Sequence, residues 1–221
     1  MWFEIFLSLL CASAQAESPK TPFYPEFKNA VLIKSILDNG NIGFCSGVVL
    51  SQKIVLTAAH CIDQNIEHKI QVPGRFYLKY VFASKAVRSS QYQPTLSKSD
   101  ADIGVLEFAA PLPFKSITLC KDQHAHETLY RVGFGGRKGK NLRQIFTLQS
   151  ASIGEHGVQL ATDIASVSGD SGGPIFAIES GEACLYAIHS SIGLQNIPKQ
   201  SFNPIIQRTL LPVLLEKTEQ K

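Results

Sequence analysis

The sequence predicts an all-β chain folded as two β-barrels and closed by a C-terminal helix. Three observations carry this. Short apolar runs recur along the chain, bounded by Gly, Pro, Asn, Asp and Ser, at the spacing of barrel strands rather than of βαβ units. The runs pause at Ala109-Ala110-Pro111-Leu112-Pro113 and then resume in the same style, so a crossing between two halves falls there. Residues 204–217 carry apolar side chains at helical spacing.

Residues 1–16 read as an export signal. An apolar core over 5–12 precedes Ala14-Gln15-Ala16, a small-x-small cleavage pattern, although Glu4 stands where such signals carry Lys or Arg. Cys11 follows Leu10, not the small residue a lipoprotein signal needs, and is given no role. Residues 17–28 are rich in Pro, Lys, Ser and aromatics without a period and are expected to be a flexible or propeptide-like segment. The first barrel is expected over 29–110. It starts with a buried strand at Ala30-Val31-Leu32-Ile33 and turns at Asp38-Asn39-Gly40-Asn41. Apolar runs follow at 44–50 and 53–56, alternation at 75–82, and another run at 102–108. The second barrel and the helix are expected over 111–221, with strands at 128–132, 144–150, 157–161, 174–178 and 184–189. Pro212 should start or interrupt a turn in the helical stretch of Ile205, Ile206, Leu210, Val213 and Leu214.

Composition narrows the function classes. Hydrophobic residues make up 44% of the 221, enough for a packed core and too many for a disordered chain. Lys121, Arg131, Arg137, Lys138, Lys140 and Arg143 gather, but glycine breaks the run, which reads as a solvated loop rather than a nucleic-acid site. No stretch of transmembrane length follows the signal. The expected protein is a secreted or periplasmic monomer with neither nucleic acid nor membrane as partner. Four cysteines remain after the signal, Cys45, Cys61, Cys120 and Cys184, and an even number in an exported chain implies disulfides. No close Cys/His spacing suits a metal, and no cofactor is expected. His124, His126 and His156 lie in polar, loop-like surroundings and are given no role.

The chemistry centres on Gly169-Asp170-Ser171-Gly172-Gly173-Pro174. These residue types build ordinary turns. They also build a loop that holds a hydroxyl outward while backbone N–H groups face whatever it attacks. A serine needs a base, and His60 follows the apolar run Ile54-Val55-Leu56. A base needs an orienting carboxylate, and Asp102 opens an apolar strand that would bury it in part.

The stretches Thr57-Ala58-Ala59-His60-Cys61, Asp100-Ala101-Asp102-Ile103-Gly104-Val105-Leu106 and Gly169 to Pro174, in that order, resemble the chymotrypsin-like (trypsin-fold) serine proteases. The order His, Asp, Ser separates that family from subtilisins and α/β-hydrolases. The resemblance runs from about Ala30 to the C-terminus. It implies two six-stranded antiparallel Greek-key barrels with a C-terminal helix, and a serine endopeptidase acting on a protein or peptide. It implies His60 as general base, Asp102 as its orienter and Ser171 as nucleophile. The N–H groups of Gly169 and Ser171 would form the oxyanion hole, and Ser190 would hydrogen-bond the acid. Gly133-Phe134-Gly135 is similar to the family's Gly-Trp-Gly. A Cys45–Cys61 bridge would pin the histidine loop. That leaves Cys120 and Cys184, which either pair or stay free and buried.

The sequence also departs from the family. A freed Ile-Val-Gly-Gly terminus usually pairs with the Asp before the nucleophile, here Asp170, yet no Ile-Val-Gly-Gly occurs. Cuts after Lys20 or Lys28 would release Thr21 or Asn29, neither a match. A buried Asp170 must then find another cation or a nonstandard terminus. Leu129 and Ala177 stand where one family bridge would be, and Val167 where a pocket-wall cysteine would be. In trypsin relatives an Asp six residues before the nucleophile selects cations. Here that residue is Ala165, so cleavage after Arg or Lys is not expected. His189 precedes Ser190, and the glutamyl endopeptidases carry a histidine at that place. With the hydroxyls of Ser166 and Ser168 it would hold a substrate Glu or Asp; the alternative is that His189 packs or bonds a carbonyl. A bulky Phe202 would shorten the pocket if it falls there. The competing function is a silent homologue that binds rather than cuts, its oxyanion hole collapsed.

Overall fold

In the computed structural model the described residues are 22–63, 65–74, 77–90, 92–93, 101–121, 126, 128–136, 142–148, 150–154, 157–161, 166–192 and 200–203. The signal read over 1–16, the helix read over 204–217 and Ala165 lie outside them.

Seven strands form the first sheet: β1 (Ala30–Ile36), β2 (Ile42–Ser51), β3 (Ile54–Thr57), β4 (Glu67–Pro73), β5 (Leu78–Phe82), β6 (Lys85–Arg88) and β7 (Gly104–Glu107). They pair antiparallel in the order β5-β4-β1-β2-β3-β7-β6. β1 buries Ala30 to Ile33, the run the sequence marks. It returns through the turn at 38–40, where the Gly40 N–H donates to Leu37 O at 2.8 Å. β4 and β6 are strands that the apolar runs do not announce. The buried face of β4 is His68, Ile70 and Val72, so a histidine takes a core position and breaks the apolar alternation.

The segment from Phe108 to Cys120 is tied to both halves. The Leu112 and Ile117 N–H groups donate to Gln52 O (2.6 Å) and Leu50 O (3.0 Å), and the Cys120 N–H donates to Leu185 O (3.0 Å). Eight strands follow: β8 (Leu129–Gly133), β9 (Gln144–Leu148), β10 (Ser150–Gly154), β11 (Gly157–Ala161), β12 (Pro174–Glu179), β13 (Glu182–Ile188), β14 (Ser191–Ile192) and β15 (Gln200–Asn203). They make two antiparallel sheets, β13-β12-β8-β9 and β10-β11-β15-β14. The antiparallel all-β architecture is the one the short runs predict.

The largest core cluster crosses the seam between the halves. Val48, Leu56 and Val105 from one side meet Val132, Phe176 and Ile188 from the other. Phe27 lies at its centre, with its ring 5.0 Å from Phe176 and 5.6 Å from Tyr130. The flexible segment expected over 17–28 is therefore corrected in its described part. Pro25–Asn29 forms a short 3-10 helix, and Phe27 is fully buried. Aromatic residues without a period still order a segment when a groove between two sheets accepts them.

The basic cluster is corrected at Arg131; Lys121 is exposed, and Arg137, Lys138 and Lys140 lie outside the described residues. Arg131 is not in a solvated loop. It lies in β8, whose five residues are all buried, and is 0% exposed. Arg143 donates to Ala30 O (3.0 Å) and Lys28 O (3.2 Å), bracing the start of β1.

Candidate active site

His60 sits in the 3-10 turn Ala59–Cys61 that ends β3. Its backbone N–H donates to Asp102 Oδ1 at 2.9 Å, and its ring Nδ1 lies 2.8 Å from Asp102 Oδ2. An ionised carboxylate only accepts, so Nδ1 carries the proton and Nε2 keeps its lone pair for a substrate-side proton. The Ser190 hydroxyl donates to the same Oδ2. Burial pushes the Asp102 carboxyl up; the His60 hydrogen bond and charge, with the Ser190 bond, outweigh it and hold the group below the usual carboxylate value. The acid side chain is 6% exposed and the imidazole 36%, so the ring faces solvent while its orienter is enclosed. The predicted His60, Asp102 and Ser190 thus converge from three separate elements.

Ser171 occupies the turn before β12, and its hydroxyl donates to Ser190 O at 3.3 Å. The backbone around it is set peptide by peptide. The Gly136 N–H holds Ser168 O at 3.1 Å, which turns the Gly169 N–H the opposite way. The Gly173 N–H holds Asp170 O at 3.0 Å, which does the same for the Ser171 N–H. Among the described residues neither Gly169 nor Ser171 donates its N–H within the protein, which leaves both available to an oxyanion. Gly169 has φ +98°, a conformation suited to glycine. Gly172 is required for a second reason: a Cβ there would meet Thr57 Oγ1 at 2.1 Å and Ser46 O at 2.2 Å.

Ser46, in β2, was not marked by any motif, yet it joins the two halves at this loop. Its N–H donates to Ser171 O (2.7 Å) and its hydroxyl donates to Gly169 O (2.7 Å). The same hydroxyl accepts from the Phe134 N–H at 2.8 Å. A serine inside an apolar strand was its sole sequence signal.

Asp170 is 0% exposed. It accepts from the Gly135 N–H at Oδ1 (2.9 Å) and the Val167 N–H at Oδ2 (3.1 Å). A Cβ on Gly135 would stand 2.5 Å from Oδ1, which explains the glycine. The Arg131 guanidinium comes within 3.9 Å of Oδ2. The basic residue read as solvated therefore sits beneath the nucleophile loop.

The candidate pocket residues divide. Ser166 is buried and its hydroxyl accepts from Arg131, while Ser168 is exposed. His189 is 1% exposed, and its backbone exchanges hydrogen bonds with Gly172 and Gly173 (2.6 and 2.8 Å). Phe202 lies opposite Ser191 in the β14–β15 register. A cleft of about 370 Å³ is lined by His60 together with Leu37, Ile66 and the Arg88–Asp63 ion pair.

Two disulfides brace these elements. Cys45–Cys61 fastens the His60 turn to β2, and Cys120–Cys184 joins the crossing segment to β13. Leu129 and Ala177 pack in one buried cluster, so apolar contact stands where the family bridge is missing.

Comparison with known proteins gives three findings. A family model described as Trypsin matches residues 32–206. Coagulation factor IX of Oryctolagus cuniculus is 33% identical over 91 residues, 37% of this chain and 32% of that protein. The match thus spans about a third of that curated relative's length. A solved structure, HL collagenase, superposes with a TM-score of 0.70 over 88% of this chain and 95% of its own, at 15% identity.

Proposed function

The chain belongs to the trypsin family of serine proteases, and from that membership we propose that it is an exported serine endopeptidase. Ser171 attacks the peptide carbonyl while His60 Nε2 takes its proton. The oxyanion is received by the N–H groups of Gly169 and Ser171. The imidazolium, stabilised by Asp102, then protonates the leaving amine, and water resolves the acyl-enzyme. The supporting observation is the hydrogen-bonded set Ser190–Asp102–His60 beside a loop in which, among the described residues, neither the Gly169 nor the Ser171 N–H is donated. The Ser171 hydroxyl must exchange Ser190 O for Nε2, a substitution of one hydrogen bond for another as substrate arrives.

For the residue before the cut we assign Glu or Asp, and not Arg or Lys. Arg131 donates to Ser166 Oγ, which leaves the serine's own proton for a carboxylate and polarises it. Ser168 offers an exposed hydroxyl. The competing reading, a silent binding homologue, draws on the Ser171–Ser190 bond. Labelling by a fluorophosphonate probe separates them: Ser171 in the exported protein reacts, and Ser171→Ala loses about 10⁶-fold in kcat. A silent Ser171 would favour the binder. Chromogenic peptides differing only before the cut test the preference, and fastest turnover on Phe or Leu would defeat the acidic assignment.

A further inference from the structure

We propose that the outer face of the first sheet, around Lys34 and Lys69, docks an acidic, aromatic-bearing segment of the substrate polypeptide that lies beyond the residues flanking the cut. This rests on the protease reading above and narrows its substrate class. Strand register sets the two lysines side by side. One row across four strands runs Phe44, Lys34, Lys69, Phe82, each residue opposite the next. Like charges directly opposite on neighbouring strands repel. Aromatic faces offset that repulsion. Lys34 Nζ lies 4.6 Å from the Tyr80 ring centroid and 5.5 Å from that of Phe44, and Lys69 Nζ lies 5.6 Å from Tyr80 and 5.1 Å from Phe82. Among the described residues no carboxylate pairs with Lys34, and Lys69 meets only Glu67 Oε1, at 4.0 Å. Two ammonium groups thus share a patch of rings with little anionic charge of its own.

The rest of the face is apolar and open. Leu78, Tyr80 and Phe82 alternate along β5 on the side opposite Val81, which packs on the core. Ile36 and Ile42 oppose each other in the row next to Lys34. Leu78 is 60% exposed, and Ile42 and Phe82 are each 51% exposed. Apolar surface gathered in this way marks an interaction site. Two observations select its occupant. Ammonium groups set among rings complement carboxylates flanked by aromatic or aliphatic side chains, and the cut assigned above already falls after Glu or Asp. The face is also continuous with the catalytic cleft. β1 carries Lys34 and Ile36 directly into Leu37, Asp38 and Asn39, which line the same cleft as His60. Three extended residues span about 10 Å, so a substrate chain leaving that cleft reaches the lysines within a few residues. Asp38 at the turn confines the acidic part of the segment to the lysine end. A membrane surface would gain nothing from that continuity.

The test uses the full exported chain and fluorogenic peptides that share one cleaved sequence. One peptide is bare, one carries a Gly-Ser tail, and one carries an equally long tail of Glu, Phe and Tyr; each tail is placed ahead of the cut in one set and after it in another. On one side of the cut the acidic tail should raise kcat/KM about tenfold over the Gly-Ser tail, through a lower KM. The double variant Lys34→Gln, Lys69→Gln should erase that gain and turn over the bare peptide at the parent's rate, which also shows that it is folded. Salt at about 0.5 M should erase the gain in the parent. The labelled acidic tail alone, read by fluorescence anisotropy on the Ser171→Ala protein, should bind about tenfold more weakly once both lysines are replaced. Equal turnover of the two tailed peptides by the parent overturns the inference, as does a gain that survives in the double variant. A parent that ignores the tail but sediments with phosphatidylserine-containing vesicles, and loses that with the two lysines, overturns it in favour of a membrane. A chain that binds the tail through these lysines while its Ser171 never labels overturns the protease reading and leaves the docking face standing.

Discussion

Asp102 and His68 show how burial and a partner decide the state of one group. Asp102 is held below its ordinary value, so it stays ionised at any pH above about 4, and loss of activity on mild acidification is not its protonation. Asp102→Asn should leave the protein folded and lower kcat by about 10⁴-fold, read by steady-state assay, because the imidazole then takes the wrong tautomer. His68 is shifted the other way in effect. Burial pushes its pKa below 6.5, against the Asp63 carbonyl and charge and with the help of Arg88. Neutral His68 fits its site: Nδ1 lies 2.8 Å from Ser35 Oγ, and Nε2 lies 2.7 Å from Asp63 O and 3.0 Å from Asp63 N. The unfolded chain takes up this proton below pH 6.5 before the folded one does. The stabilisation is therefore present above that value and is lost as pH falls through the folded pKa. Urea unfolding should show stability falling as the pH drops below about 6.5, and His68→Gln should flatten that slope.

Elements carry the next level of the argument. β2 was legible as an apolar run, but Ser46 within it was legible only as an interruption. A hydroxyl in a strand has many uses, and its partners Gly169 and Phe134 lie 123 and 88 residues away. Ser46→Ala leaves the Phe134 N–H without its acceptor and frees Gly169 O. The expected cost is about 1–3 kcal/mol in denaturant unfolding, with kcat falling more than KM changes. β4 was missed because its buried face includes His68. Pro25–Asn29 was misread because aperiodic aromatics carry no local signature of the groove that receives them. Phe27→Ala should cost about 3–5 kcal/mol by the same measurement, since the seam cannot collapse around the cavity without moving two sheets.

At the scale of the molecule, the two disulfides should separate stability from activity. Cys120–Cys184 closes 64 residues and Cys45–Cys61 closes 16. Chain entropy makes removal of the first cost about 4 kcal/mol and of the second about 3 kcal/mol. Activity should follow the opposite order, because only Cys45–Cys61 is next to His60; paired Cys→Ser variants, unfolded in urea and assayed, check both orders. By itself the sequence determined the strand-rich class and the family resemblance, and it marked His60, Asp102, Ser171 and Ser190 as candidates, because each belongs to a short contiguous pattern. It also posed the question of what satisfies Asp170. The answer needed the tertiary structure, as did the Ser46 clamp and the burial of Phe27. Arg131 sits amid other basic residues in the chain, and no local rule tells a solvated guanidinium from one that faces a carboxylate 39 positions on. That distinction is made only when β8 is enclosed on both faces and the loop before β12 folds over it.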